Sequence, residues 1–447
     1  MNITAKRFLP LIAFFIIALA TSAQQVGSNS PYGRYGYGLL SNQSPGASEA
    51  MGGISYGLRR SQQVNPGNPA SYSKLDSLTF IFDLGVSAHY ATYSDGINKQ
   101  NFFNGNLDYI AMQFPLFRKM GASIGLLPYS KVGYNYGQTR SLSDIVYEEV
   151  FRGTGGLSQI YAGIAYEPIR YFSVGANVSY LFGNFSYTSV SVPRTATGAT
   201  IGEEKKRYSI RDLKYDIGAQ FTYPIDRVSS VTVGAVFSPK INAETDVYAT
   251  EMMFASDPYS NPYQTPREVL RDDTLASQSF QLPNTYGLGV TYSNTNWLVG
   301  VDGTYQQWSG LNYPEVLDGL TSQNRFNNAY RVSAGMEYVI DPYSRNFFSR
   351  MRFRAGLSYG NSYANVNVYN PADDTNVGVG GFKEYGINIG FGLPFRDSMS
   401  GRLSLLNIGF GYTTQRPDLQ YMITQDVFKV SLNMNINEFW FFKRQFD

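Results

Sequence analysis

From about residue 78 to residue 437 the chain alternates apolar and polar residues in segment after segment. In one segment Tyr330, Val332, Ala334, Met336, Tyr338 and Ile340 share a face, while Arg331, Ser333, Gly335 and Glu337 take the other. Near the end, Phe428, Val430, Leu432, Met434 and Ile436 stand against Lys429, Ser431, Asn433, Asn435 and Asn437 in the same way. A period of two is the pattern of β-strands with chemically different faces. Helical periodicity is hard to find, and the sequence resolves into about fourteen such strands between Leu78 and Asn437.

Two folds satisfy this pattern. A soluble sandwich hides its apolar face in a core, and a closed barrel turns that face to lipid around a polar lumen. The spacing between the strands separates the two. Connections such as Phe117 to Lys119, Glu167 to Arg170 and Ser293-Asn294 are short; Pro193 to Glu204, Thr250 to Ala276, Ser309 to Phe326 and Asn361 to Gly381 are long and polar. Short and long connections alternate along the chain, as a transmembrane barrel with periplasmic turns and outer loops requires. Composition agrees. Only 16% of residues are charged, against about a quarter in an average soluble domain, and the chain carries 44 glycines, 36 tyrosines and 30 phenylalanines. Aromatics recur near strand ends, at Tyr90, Tyr134, Tyr223, Tyr292, Trp308, Tyr412 and the Phe439-Trp440-Phe441-Phe442 run, where interfacial girdles need amphipathic rings. The expected fold is an all-β transmembrane antiparallel barrel of about fourteen strands.

The N-terminus reads differently. Lys6 and Arg7 precede the apolar run Phe8 to Ala20, and Thr21-Ser22-Ala23 offers small residues for cleavage, the layout of a secretory signal peptide over residues 1–23. No cysteine follows for lipid attachment, and no later apolar run is long enough for a membrane helix. An even strand count then puts both ends of the mature chain in the periplasm. Residues 24–76 are glycine-rich and lack alternation, with Pro31, Pro45, Pro66 and Pro69 as breakers, and residues 77–447 form the barrel. A fourteen-stranded barrel has room inside for such a segment, so residues 24–76 are expected to be a luminal plug.

Within that segment Gly52 and Gly53, then Asn65, Pro66, Gly67, Asn68, Pro69 and Ala70 just ahead of the first strand, resemble the plug signature of the FadL-type outer-membrane transporters (the OmpP/FadL/TodX superfamily). Strand count, plug and topology are similar too, so the resemblance spans nearly all of the mature chain. Ser30 to Gly36 (SPYGRYG) looks like Bacteroidetes members of that superfamily. The resemblance implies passive uptake of hydrophobic compounds such as long-chain fatty acids, with outer-membrane lipid and a hydrophobic small molecule as partners. It also implies an inward kink in the third strand. The third strand here holds Leu126, Leu127, Pro128 and Tyr129; a proline donates nothing to a ladder and marks an edge, an end or a bulge. That stretch is a candidate lateral gate, with a harmless bulge as the alternative.

Other chemistry finds little footing. With no cysteine and one histidine, His89, soft-metal sites have no ligand set. His89 shares a face with Asp83, too far along one strand for a hydrogen bond, although Asp108 or a serine on a neighbouring strand offers an alternative partner. Asp272-Asp273 and Asp373-Asp374 are read as solvated acidic pairs in outer loops, and Lys205-Lys206-Arg207 as a solvated outer-loop cluster. A net charge of +2 gives no electrostatic footprint for nucleic acid. No enzyme, metal or cofactor is expected. Some FadL-like barrels of Bacteroidetes act with protein-export machinery, so the alternative function is a non-transporting subunit of an outer-membrane assembly or secretion complex. A closed, polar-filled lumen with an exposed apolar loop patch favours the subunit, and an apolar pocket beneath the outer loops favours the transporter.

Overall fold

A computed structural model describes residues 28–447 except positions 45, 77, 143–144, 195–197, 257–263, 314–324, 371–374, 397–401 and 440–447. The expected signal peptide, Asp373-Asp374 and the aromatic run beyond Phe439 lie outside the described residues.

Fourteen antiparallel strands form one closed sheet. They are β1 (Thr79–Ser94), β2 (Lys99–Phe117), β3 (Met120–Leu142), β4 (Ile145–Ile169), β5 (Phe172–Pro193) and β6 (Ile201–Pro224). β7 comes in two pieces, Ser230–Ser238 and Ile241–Phe254, and so does β8, Glu268–Leu282 and Thr285–Ser293. Then follow β9 (Trp297–Gln306), β10 (Ala329–Val339), β11 (Arg352–Asn361), β12 (Phe382–Arg396), β13 (Leu403–Pro417) and β14 (Thr424–Phe439). β14 pairs with β1 from Thr424↔Ser94 to Phe439↔Thr79 and closes the barrel. The interruptions in β7 and β8 fall beside Pro239 and Pro283, neither of which has an N–H to give.

The burial pattern decides between sandwich and membrane barrel. On β10 Tyr330, Val332 and Met336 are exposed while Ser333 and Glu337 are buried; on β14 Phe428, Val430 and Leu432 are exposed while Ser431, Asn433 and Asn435 are buried. Apolar outside and polar inside is the inverse of a water-soluble sheet. Across the ladders Phe237, Tyr286, Tyr305 and Tyr330 stand side by side, all exposed, and so do Phe103, Tyr90, Phe428 and Tyr412. Nearer the short turns Trp297 lies 4.4 Å from the Tyr338 ring, and Tyr338 pairs with Phe353. Trp297 and Tyr305 are eight residues apart on β9. That separation is about 27 Å of strand, or about 21 Å of height at a tilt of about 40°, close to the apolar band of an outer-membrane barrel.

Several outer loops are shorter than the sequence suggests. Lys205, Lys206 and Arg207 belong to β6, and Asp272 and Asp273 to β8, so neither group sits in a loop. Lys206 is buried and paired with Glu204 at 3.3 Å. These hairpins continue past the lipid-facing band, where the two faces no longer differ in polarity and alternation fades.

Residues 28–76 occupy the lumen with three short 3-10 turns, Pro31–Arg34, Gly46–Met51 and Pro69–Lys74. Contacts at both ends fix their direction. Asn29 bonds Asn104 at 3.2 Å and Ser30 bonds Gln425, both at the long-loop end, while Phe439 and Thr79 meet at the short-turn end. An even strand count fixes only where β1 starts and β14 ends. The described plug residues therefore run from the long-loop end at Asn29 to the short-turn end at Thr79.

Candidate functional site

The plug is built around its asparagines. Asn65 Nδ2 donates to the carbonyls of Ser55 (2.8 Å) and Leu58 (3.0 Å), tying a tight loop to itself. Asn68 caps the turn that Pro69 opens: its Oδ1 accepts from Ala70 N at 3.1 Å, and its Nδ2 donates to Tyr56 O at 2.8 Å. Pro66 O accepts from Asn177 of β5 at 3.2 Å, joining the motif to the wall. Gly52 and Gly53 take positive φ (71° and 88°), and the Met51-Gly52 main chain lies against Gly335 and Gly356, which pair across β10 and β11. A Cβ on Gly52, Gly335 or Gly356 would overlap the opposing backbone, so bare glycine on both sides lets plug and wall touch main chain to main chain.

Charged contacts latch the plug further. Arg59 Nη2 meets Glu167 of β4 at 2.6 Å. Glu337 of β10 takes Arg60 of the plug at 2.5 Å, Arg354 at 2.7 Å and Arg352 at 3.3 Å. Asp302 Oδ2 accepts the main-chain N–H groups of Ser55 (2.5 Å) and Tyr56 (2.7 Å), and Lys429 pairs with Glu49 and with Asp108.

Above the plug the space under the outer loops is filled. Tyr37 is fully buried, with the rings of Phe280, Tyr313, Trp308 and Phe326 at 4.3, 4.8, 5.7 and 5.9 Å. Tyr37 OH donates to Gln281 O (2.9 Å), and Tyr363 OH donates to Gly38 O (2.6 Å) while accepting from Tyr37 N. Burial pushes the Tyr37 and Tyr363 hydroxyls well above their ordinary range, so they remain donors. Between this cap and the lower plug lies a cavity of about 390 Å³, lined by Lys214, Asp216, Asp302, Arg331, Glu384 and Gln415 among others. Leu39, Leu40, Tyr129, Tyr161, Val236 and Phe382 also line it, so its wall is mixed, apolar and polar in similar measure. A second cavity of about 290 Å³ opens by the Arg60, Arg352 and Arg354 cluster.

The wall has two seams among the described residues: β6 and β7 lose pairing between Tyr208↔Val247 and Ile217↔Phe237, and β2 and β3 part above Ile110. β2 and β3 pair only from Phe117↔Met120 up to Ile110↔Leu126. Above that, Leu127 is buried, Pro128 pairs with Ser158 of β4, and Tyr129 is the extra residue of a bulge. β3 then runs against the plug. Leu39 and Leu40 pair with its freed edge at Lys131 and Ser130, and Ser41 N donates to Tyr129 O at 2.9 Å. The four residues Leu126 to Tyr129 thus stand at the point where the ladder divides.

His89 has a serine partner two residues away. Ser87 Oγ lies 3.3 Å from His89 Nε2 and donates to Asp108 at 2.8 Å. A hydrolytic triad needs the carboxylate on the imidazole and the base on the serine; here the carboxylate holds the serine proton. Sequence reasoning missed Tyr37, Trp308 and Phe326 as a cap and Arg59 and Arg60 as latches. Tyr37 and Trp308 are 271 residues apart (308 − 37), and no local pattern links them.

A family model described as BamG matches residues 5–447. The chain belongs to the BamG family. Its fold is that of the FadL-type channels. The BamG-family chain is similar to the Pseudomonas putida toluene transporter TodX (16% identity, TM-score 0.56, covering 89% of this chain and 99% of that one). It is likewise similar to a Pseudomonas aeruginosa FadL homologue (13% identity, TM-score 0.56, 89% and 98% covered). The CymD monoaromatic hydrocarbon channel gives 13% identity and a TM-score of 0.54 over 91% of this chain and 99% of that one. No curated protein matches the sequence. Identities this low establish the shared barrel architecture and leave the cargo of this BamG-family chain to its own residues.

Proposed function

We propose that this BamG-family barrel is a sealed subunit of an outer-membrane protein assembly or secretion complex. The observation that carries this reading is the filled space beneath the outer loops. Where an apolar ligand would rest, Tyr37 of the plug packs against Phe280, Trp308 and Phe326, and the cavity left below mixes apolar groups with the ion pairs Lys214–Asp216 and Arg331–Glu384. An apolar compound there would lie against charged pairs that it cannot satisfy. The latches at Arg59, Arg60, Glu49 and Asp302 hold the plug in place against loosening. Native mass spectrometry of protein extracted gently from its own membranes tests this. The expected result is a stoichiometric protein partner and no bound apolar molecule; a retained apolar small molecule without a partner overturns it.

A second reading, uptake of hydrophobic compounds with long-chain fatty acids as one class, is favoured by two observations. The fold is shared with TodX and CymD, and the β2–β3 ladder divides beside Pro128, as a lateral gate to lipid requires. In that reading Gly52, Gly53, Asn65, Pro66, Asn68, Pro69 and Ala70 set the plug whose rearrangement lets cargo pass, and Leu126 to Tyr129 frame its exit. Uptake of a labelled apolar compound into cells, compared between the native protein and Pro128→Val, checks it. Unchanged uptake removes the gate.

A further inference from the structure

At the β2–β3 seam the two strands are treated differently. Where β3 bends inward, the edge it exposes from Tyr129 to Lys131 is covered by Leu39, Leu40 and Ser41 of the plug. The edge that β2 exposes is not. From Gln100 to Asp108 its main chain pairs with β1 alone among the described residues.

This bare edge lies at lipid depth. Phe103 pairs with Tyr90 and belongs to the outer aromatic girdle, and Leu107, four residues nearer the periplasm, is also exposed. Main-chain N–H and C=O groups with no partner are not tolerated facing hydrocarbon, which is why membrane barrels close. Half of the groups between Phe103 and Tyr109 point across the seam. The side chains repeat the wall pattern, with Phe103 and Leu107 outward and Asn104 and Asn106 toward the lumen. Asn106 Nδ2 is buried without an acceptor. Asp108 forms a bulge on β2 at the fork, opposite the Tyr129 bulge on β3, so both strands are shaped to part there.

We infer that the β2 edge from Gln100 to Asp108 takes an extended strand of a partner protein by β-augmentation. This deepens the subunit reading and rests on it. The seam already accepts a strand by the same geometry on its other side, through Leu39 and Leu40. The pattern on β2 sets the partner's chemistry: about six to eight residues in extended form, apolar on the lipid side and polar on the lumen side, with an acceptor facing Asn106.

The test places a photoreactive phenylalanine analogue at Phe103, at Leu107 or, as a control on the far wall, at Val301. Each full-length variant is expressed in its own membranes and irradiated, and retained heat-modifiable mobility shows that it has folded. The inference expects Phe103 and Leu107 to label one peptide of one partner at positions four residues apart, and Val301 to label no protein. If a partner co-purifies but is labelled from neither β2 position, or without that spacing, the edge inference falls while the subunit reading stands. If nothing co-purifies and only lipid is labelled, both fall.

Discussion

Arg59 of the plug and Glu167 near the periplasmic end of β4 lie 2.6 Å apart, with the arginine side chain 4% exposed and the glutamate 18%. Arg59 also reaches Thr222 and Ser73 at 3.3 and 3.2 Å, so one side chain ties plug to wall on two strands. Replacing Glu167 with alanine leaves a buried guanidinium without its carboxylate, a loss of about 3 kcal/mol at the lower end for buried pairs, given the partial exposure of Glu167. The expected outcome is faster tryptic cleavage after Arg59 and Arg60 in the folded barrel. Cleavage no faster than in the native protein shows that the plug is held by its other contacts.

The glycine contact between plug and wall gives a steric prediction. A side chain at Gly356 meets the main chain of Met51 and Gly52, whereas one at Gly303 on the neighbouring wall meets nothing within 4 Å. Gly356→Val is expected to expose the plug to trypsin or to cost about 1–3 kcal/mol through overpacking. Gly303→Val is expected to do neither. Thermal unfolding in detergent alongside the cleavage assay separates the two, and equal behaviour of the variants removes the contact from the plug's support.

The barrel was largely legible in the sequence and the contents of its lumen were not. Tyr330 to Ile340 announces both faces of β10 because each residue's environment is set by its parity, a purely local property. Asn65, Asn68 and Pro69 stand out for the same reason: they shape turns within a few residues of themselves. The cap has no such signal. Tyr37 sits in a glycine-rich stretch, and its partners Phe280, Trp308 and Phe326 come from β8 and from a distant loop. Glu337 and Asp302 read simply as lumen-facing polar residues, since only the fold brings Arg60 and the Ser55 amide to them. Strand lengths outside the membrane were underestimated at Lys205 to Arg207 and at Asp272-Asp273, where polar residues occupy both faces and parity loses its contrast.

One periplasmic turn carries a pH signature. The amides of Val228 (2.7 Å) and Ser229 (2.6 Å) donate to Asp226 Oδ1 and hold its carboxyl below the ordinary carboxylate range. A depressed value means that the turn's contribution is fully present above the unfolded Asp value of about 3.9 and is lost as pH falls through the folded value. The Val228 amide shift, followed by NMR with selective labelling in detergent, is expected to titrate with a midpoint below about 3.9. A midpoint at or above it shows that the two bonds do not form in solution.

The last prediction concerns the cap, on which the sealed state depends. Trp308 is fully buried, with its ring centroid 4.4 Å from Tyr363 and 5.7 Å from Tyr37. Beneath it the cavity of about 390 Å³ is polar enough to hold water, so the aromatic layer is the barrier between that water and the outside. Removing an aromatic ring from a packed cluster costs about 3–5 kcal/mol, and here the gap left by the indole opens onto the chamber. In planar bilayers the native barrel is expected to show no stepwise openings, and Trp308→Ala, or Trp308→Ala with Tyr37→Ala, to show them at neutral pH. Because Arg60–Glu337 and Arg59–Glu167 still latch the plug below, the openings should be brief and should lengthen when Glu167→Ala is added. A native barrel that already conducts steadily would place the seal elsewhere and return the lumen to the uptake reading.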